Sequence, residues 1–381
     1  MIPYGRQSID ESDIEAVVAV LRSAWVTQGP AITAFEQGIG DYCGAPHALA
    51  VCNATAALHL ACLALDVGPG DRVWTSPNTF VASANCARYC GADVDFVDVD
   101  PLTLNMSTSA LAEKLMIAEQ ENRVPKVIIP VHFAGQACDM AKIADLAKKY
   151  GCRVIEDASH AVGAQYRGEP VGNGRYADIT IFSFHPVKII TTGEGGMALT
   201  RDPQLAARLA RLRSHGITRE PAEMENESEG PWYYEQIELG FNARMTDLQA
   251  ALGLSQLQRL APFIARRQAL AERYAKLLAG KPVVCPTVAA DRRSAWHLYP
   301  IRVAADKRRH VFETLRAAGI GVQTHYIPVH LQPYYRRLGF KTGDFPEAER
   351  YYREAISLPM FPDLTDAEQD QVAAVLDEAL R

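Results

Sequence analysis

Continuous apolar segments alternate with amphipathic ones along the first half of the chain, and few folds accommodate that pattern. "HALAVCN" (47–53), "DRVWTS" (71–76), "DVDFVDV" (93–99), "KVIIPVHF" (126–133), "RVIED" (153–157) and "DITIFSF" (178–184) have strand character. Helix-like stretches at 54–65, 79–90, 108–119 and 139–150 lie between them. Strands without polar alternation are buried on both faces, so the pattern predicts βαβ units and a mostly parallel sheet covered by helices. Segment 139–150, "DMAKIADLAKKY", shows the logic: Asp139 is placed to cap it, and Met140, Ile143, Leu146 and Ala147 recur at helical spacing.

After about residue 202 the pattern turns helical, at 203–213, 246–260 and 262–279, with Pro262 suited to open the last. A strand at 297–303, a helix at 307–318, the strand-like "IGVQTHY" (320–326) and a closing helix at 365–380 predict a smaller α+β unit. The expected division is a large domain over 1–255 and a small one over 256–381. Segment 218–235 is acidic and bounded by prolines, and reads either as a solvated loop or as a flap beside a site.

Composition narrows the function classes. Hydrophobic residues make up 48% and charged ones 22%, an ordinary globular balance. A net charge of −6 argues against nucleic acid or an anionic membrane surface as the main partner. No charged leader with an apolar stretch opens the sequence, and no apolar run reaches the roughly 20 residues of a membrane span. The eight cysteines show no metal-ligand spacing, and Cys86 and Cys90 read as buried thiols. A reduced cytoplasmic setting is expected.

In a parallel α/β sheet, ligands sit beyond the carboxyl ends of the strands. Those ends deliver Asp157, Ser183 followed by Lys188, and Asn53, Ala54 and Thr55 at a helix start, with Phe80 just past another end. Taken singly, Lys188 reads as a surface lysine, Asp157 and Thr55 as caps, and Phe80 as core. Together they match what pyridoxal 5′-phosphate requires. Its aldehyde takes a neutral lysine amine, and its ring nitrogen needs a carboxylate. Its phosphate favours a helix N-terminus, and its ring an aromatic neighbour.

"SFHPVKIITTGEGG" (183–196), with "VIEDASHA" and "GFNARMTDLQAALGLSQL" (240–257), resembles the DegT/DnrJ/EryC1/StrS family. These are fold type I pyridoxal-phosphate aminotransferases acting on nucleotide-linked keto sugars. The resemblance implies Lys188 as the cofactor-linked catalytic base, Asp157 on the ring nitrogen, Phe80 on the ring face and His160 at the ring hydroxyl. It implies Ala54, Thr55 and Ser183 at the phosphate, with Asn242 arriving from a neighbouring subunit, hence a homodimer with shared sites. "NAT" (53–55) departs from the Ser-Gly-Thr of many members, and Ala54 has less backbone freedom than glycine.

Some relatives carry histidine in place of the lysine and are dehydratases; Lys188 points to transamination. The motif is similar to the branch acting on C4 ketones of UDP-sugars, within it the aminotransferases of the pseudaminic acid pathway, with L-glutamate as donor. Tyr4, Ala24, Trp25, Val26 and Thr27, and Gln323, Thr324, His325 and Tyr326, are the implied sugar-nucleotide contacts. Trp25 reads equally as an anchor of the N-terminal arm. Another UDP- or dTDP-4-keto sugar (bacillosamine or 4-amino-arabinose type), a non-sugar pyridoxal lyase and a regulatory cofactor-binding protein are the alternatives. The turn around Glu194 reads as stabilised by its carboxylate.

Overall fold

A computed structural model describes residues 1–381. Its centre is a seven-stranded sheet. Two helices the alternation did not predict come first, α1 (Glu11–Leu21) and α2 (Pro30–Cys43). There follow β1 (His47–Val51), α3 (Ala54–Ala64), β2 (Arg72–Thr75), α4 (Ala82–Tyr89), β3 (Asp93–Phe96) and α5 (Thr108–Gln120). Next are β4 (Val127–Ile129), α6 (Met140–Tyr150), β5 (Arg153–Asp157), β6 (Ile179–Ser183), β7 (Gly196–Thr200) and α7 (Pro203–Leu212).

The sheet order is β1-β7-β6-β5-β4-β2-β3, parallel from β6 to β3. The strand β7, absent from the expected set, is antiparallel to both its neighbours. Strands run shorter than their apolar segments. Thus β4 stops at Ile129 because Pro130 has no N–H for a ladder. Apolar side chains pack on both faces: α2, α5 and α6 supply Phe35, Leu115 and Ile143 to one, while α3 and α7 supply Leu58 and Leu209 to the other. Burying one such side chain is worth about 1.5–3 kcal/mol.

Helix α6 buries Met140, Ile143 and Ala147 as its spacing predicts. Asp139 holds the capping position but caps nothing; its carboxylate accepts from Tyr166 Oη (2.9 Å) and pairs with Lys142.

The C-terminal part contains α8 (Asp247–Gln258), α9 (Leu260–Leu277), β8 (Tyr299–Arg302), α10 (Arg308–Ala317), α11 (Pro346–Glu354), β9 (Ala355–Leu358) and α12 (Asp366–Leu380). Pro262 does not open α9; it sits in the first turn of a helix that begins at Leu260. Segment 320–326 is not a strand. Its backbone groups scatter over several partners, with Ile320 N donating to Leu315 O, Gly321 N to Ile2 O and Tyr326 N to Asn78 Oδ1, and Gln323 pairing at Ser357. Antiparallel β8 and β9 pack with α9, α10 and α12 around Tyr274, Ile301, Leu315 and Leu376, joined by Ile2 from the N-terminal arm.

All eight cysteines are free; Cys86 is buried as expected, Cys90 only partly. No helix is long and apolar enough to cross a membrane. Segment 218–235 is largely exposed.

Candidate active site

The lysine is displayed on a closed loop. After β6 the chain runs out and returns as β7, with Phe184 N bonded to Gly195 O (2.9 Å) and Thr192 N to Phe184 O (3.0 Å). Within it Lys188 N bonds His185 O (2.8 Å), and Ile189 and Ile190 are buried anchors. The half-buried Lys188 side chain reaches a cavity of about 600 Å³. Burial lowers its amine to about 8, partly opposed by the charge of Asp157.

No other lysine or arginine lines this cavity, but His160, His185, His297 and His325 do. Burial, reinforced by the nearby lysine, pushes all four imidazoles down, His325 to about 4. These histidines therefore add no positive charge beside the amine at physiological pH. His160 Nε2 is 3.1 Å from Tyr326 Oη, while its buried Nδ1 has no partner. His325 Nδ1 is 2.8 Å from Ser357 Oγ.

"ED" at the end of β5 is divided by the strand's pleat, which sends successive side chains to opposite faces. Glu156 turns away from the cavity, accepting from His132 Nε2 (2.7 Å) and Thr180 Oγ1 (2.6 Å). Asp157 faces the cavity. Its Oδ1 accepts from Ser159 N (3.1 Å) and its Oδ2 from Ser83 Oγ (2.6 Å).

At another wall stands the N-terminus of α3. Asn53, not Thr55, is the cap, its Oδ1 accepting from Ala56 N (2.8 Å). The N–H groups of Ala54 and Thr55, the first two helical residues, have no intrahelical partner and suit an anion. Ala54 is absent from the positive-φ residues, so alanine is unstrained there. Ser183 closes this end from β6. β7 passes directly behind it at Gly196, where a Cβ would fall 2.6 Å from Ala54 N. Phe80, 57% exposed in the turn before α4, offers its ring to the cavity 6.2 Å from that of Tyr326.

Of the implied residues, Lys188, Asp157, His160, Ser183, Ala54, Thr55, Phe80, Tyr4, His325 and Tyr326 line one cavity. The others stand outside it. Ala24, Trp25, Val26 and Thr27 are exposed, on an arm bridged to the start of α8 through Thr27 and Thr246. Asn242 is exposed and bridged to Ser214. Gln323 is exposed beside Ser357, and Thr324 is held by Arg308 (3.2 Å). Glu194 is exposed at the cavity; its turn is tied by its carbonyl, which accepts from Thr192 and Gln249, rather than by its carboxylate. The sequence reading missed Ser83 and His297. Ser83 lies one turn past Phe80 and was within reach of helical spacing, whereas His297 had no local signal.

A lysine with a lowered pKa, a buried carboxylate, an anion-suited helix end and an exposed ring on one cavity fit pyridoxal phosphate. The DegT/DnrJ/EryC1/StrS aminotransferase family model matches residues 7–377. The chain belongs to that family. As a family member it is an aminotransferase with pyridoxal phosphate as cofactor, which sets aside the lyase and regulatory readings. A curated relative, the UDP-4-amino-4-deoxy-L-arabinose–oxoglutarate aminotransferase of Shewanella sediminis, is 38% identical over 99% of this chain and 97% of its own. The Streptococcus pneumoniae putative sugar aminotransferase Spr1654, in its PMP form, matches with a TM-score of 0.92 at 32% identity, covering 100% of this chain and 99% of that one. Helicobacter pylori PseC, an aminotransferase of pseudaminic acid biosynthesis, matches with a TM-score of 0.90 at 31% identity and the same coverage. The fold is that of these sugar aminotransferases, an α/β unit built on a large, mostly parallel sheet.

Proposed function

We infer that this sugar aminotransferase moves an amino group from L-glutamate to the C4 ketone of a UDP-4-keto-6-deoxy-N-acetylhexosamine. The product is UDP-4-amino-4,6-dideoxy-N-acetyl-β-L-altrosamine, a precursor for pseudaminic acid. The observation that carries the chemistry is Lys188 and Asp157 lining one cavity, the lysine's pKa lowered by burial. The substrate assignment is supported by the motif around Lys188 and by the likeness to PseC.

When bound, pyridoxal phosphate carries the amine between substrates and absorbs the charge left when a carbon loses its proton. Lys188 Nζ takes the proton from the donor's α-carbon and later returns one to the sugar carbon. Neutral histidines around it leave that amine without a competing cation. Asp157 meets the ring nitrogen, and Phe80 covers the ring. His160, whose buried Nδ1 has no partner, would meet the ring hydroxyl. The Ala54 and Thr55 N–H groups and the Ser183 hydroxyl hold the phosphate.

Asn242, exposed on its own protomer, serves the site of a second copy in a homodimer. Tyr4, residues 24–27 and residues 323–326 meet the sugar nucleotide. In this reading residues 1–255 hold the cofactor and residues 256–381 close over it, in a cytoplasmic enzyme.

The Shewanella relative favours a second reading, a UDP-4-keto-pentose as acceptor. A half-reaction separates them. The protein is loaded with pyridoxamine phosphate and given the L-arabino 4-keto-6-deoxy UDP-N-acetyl sugar, its D-xylo C5 epimer, or the UDP-4-keto-pentose. Fast return of the yellow colour with the L-arabino sugar alone is expected. Return with the D-xylo epimer alone moves the enzyme to bacillosamine-type chemistry, and return with the pentose alone to the second reading.

A further inference from the structure

The Asp157 carboxylate is held from the protein side by a directed relay. Ser83, in the first turn of α4, places Oγ 2.6 Å from Asp157 Oδ2, and Thr79 Oγ1 lies 2.8 Å from the same Ser83 oxygen. Ser83, Thr79 and Asp157 are all buried. A hydroxyl has one proton to give, and an ionised carboxylate only accepts. Ser83 therefore points its proton at Asp157, and Thr79 must be the donor to Ser83. The Ser159 N–H grips the other carboxylate oxygen at 3.1 Å. With both oxygens bonded, the carboxylate plane is set.

We propose that Ser83 is a positioning residue for Asp157, orienting its carboxylate toward the ring nitrogen of the cofactor, with Thr79 fixing the direction of the Ser83 hydroxyl. This rests on the reading of Asp157 as the ring-nitrogen partner. Without Ser83, Asp157 keeps one oxygen bonded and its plane is free to rotate. The ring nitrogen then loses its proton more easily, and with it the ring's power to take up charge. The loss also removes a positive charge near the nitrogen that joins Lys188 to the cofactor. Losing a like-charged neighbour makes that nitrogen hold its own proton to higher pH.

The test uses the holoenzyme with Ser83→Ala, Ser83→Thr, Thr79→Val and Asp157→Ala. Three quantities are read: the pH at which the yellow band bleaches, kcat, and KM for L-glutamate. Ser83→Ala should raise the bleaching pH by about one unit and lower kcat about tenfold, with KM unmoved. Ser83→Thr, which keeps the hydroxyl, should restore both, and Thr79→Val should fall between. A wild-type bleaching pH in Ser83→Ala, with Asp157→Ala shifted, overturns the proposal and leaves the Asp157 reading standing. A Ser83→Thr variant as impaired as Ser83→Ala overturns it in favour of simple packing. An unshifted Asp157→Ala overturns the Asp157 reading and this proposal with it.

Discussion

Gly196 passes so close to Ala54 that a Cβ added to it would lie 2.6 Å from the Ala54 nitrogen and 2.7 Å from the Asn53 oxygen. The antiparallel strand β7 and the N-terminus of α3 thus share space that only a glycine leaves open. Gly196→Ala should push the helix end off its place. The expected outcome is a rise of about tenfold or more in the dissociation constant for pyridoxal phosphate, with loss of the helix-end N–H contacts. Equilibrium dialysis checks it, and unchanged affinity would separate this helix end from the phosphate.

Glu156 and Asp157 are neighbours with opposite duties. Glu156→Ala leaves His132 and Thr180 facing an empty buried position and should cost about 3–5 kcal/mol, the range for breaking a buried pair. Denaturant unfolding of the holoenzyme checks it, while the colour of bound cofactor stays put. Asp157→Asn should do the reverse, changing the colour with little loss of stability.

The lowered pKa of Lys188 sets a pH profile for cofactor capture. Burial brings the amine to about 8, so the free base is the minor form below that value and the major form above it. Capture of pyridoxal phosphate by the apo-protein should accelerate about tenfold per pH unit below 8 and level off above. Stopped-flow absorbance reads this directly. A rate still climbing near pH 10, where an ordinary lysine titrates, would mean that burial does not act on this amine.

Shared sites can be tested by mixing. A dimer of one Lys188→Ala and one Asn242→Ala protomer carries both changes in one site and none in the other, if Asn242 serves the neighbour. Mixing the two variants should then give more activity than their sum, measured after subunit exchange. No gain after proven exchange would place Asn242 in the service of its own protomer or of none.

Tyr326 places its hydroxyl 3.1 Å from His160 Nε2, with the two rings stacked at 6.1 Å between centroids. Tyr326→Phe leaves His160 without that partner and should cost about tenfold in kcat/KM for the keto sugar, a single buried hydrogen bond's worth. Steady-state kinetics with the sugar varied at saturating L-glutamate checks it.

What the sequence made legible was local. Lys188, Asp157, Phe80 and the start of α3 each sit within a few residues of a strand end, so the strand pattern carried them to one edge. β7 was passed over because "GMALT" follows a glycine-rich turn and is too short to stand out from it. The supposed strand at 320–326 failed because its distant hydrogen-bond partners, among them Ile2, Asn78 and Ser357, are set by the tertiary fold. His297 enters the cavity from a segment more than 100 residues beyond Lys188, next to Trp296 at φ +49°, and no periodicity reports such an arrival. The pleat that separates Glu156 from Asp157 was, by contrast, readable from β5 alone.

The loop that carries Lys188 is fastened at both ends, by β6 on one side and by β7 on the other, with Phe184 bonded across its neck. The main chain beneath the lysine is a fixed post, and the moving part is a tether of four methylenes. In the proposed cycle Lys188 would make each of its proton transfers, one in each half-reaction, by the swing of that tether, over a range set by side-chain rotamers and without moving the loop beneath it.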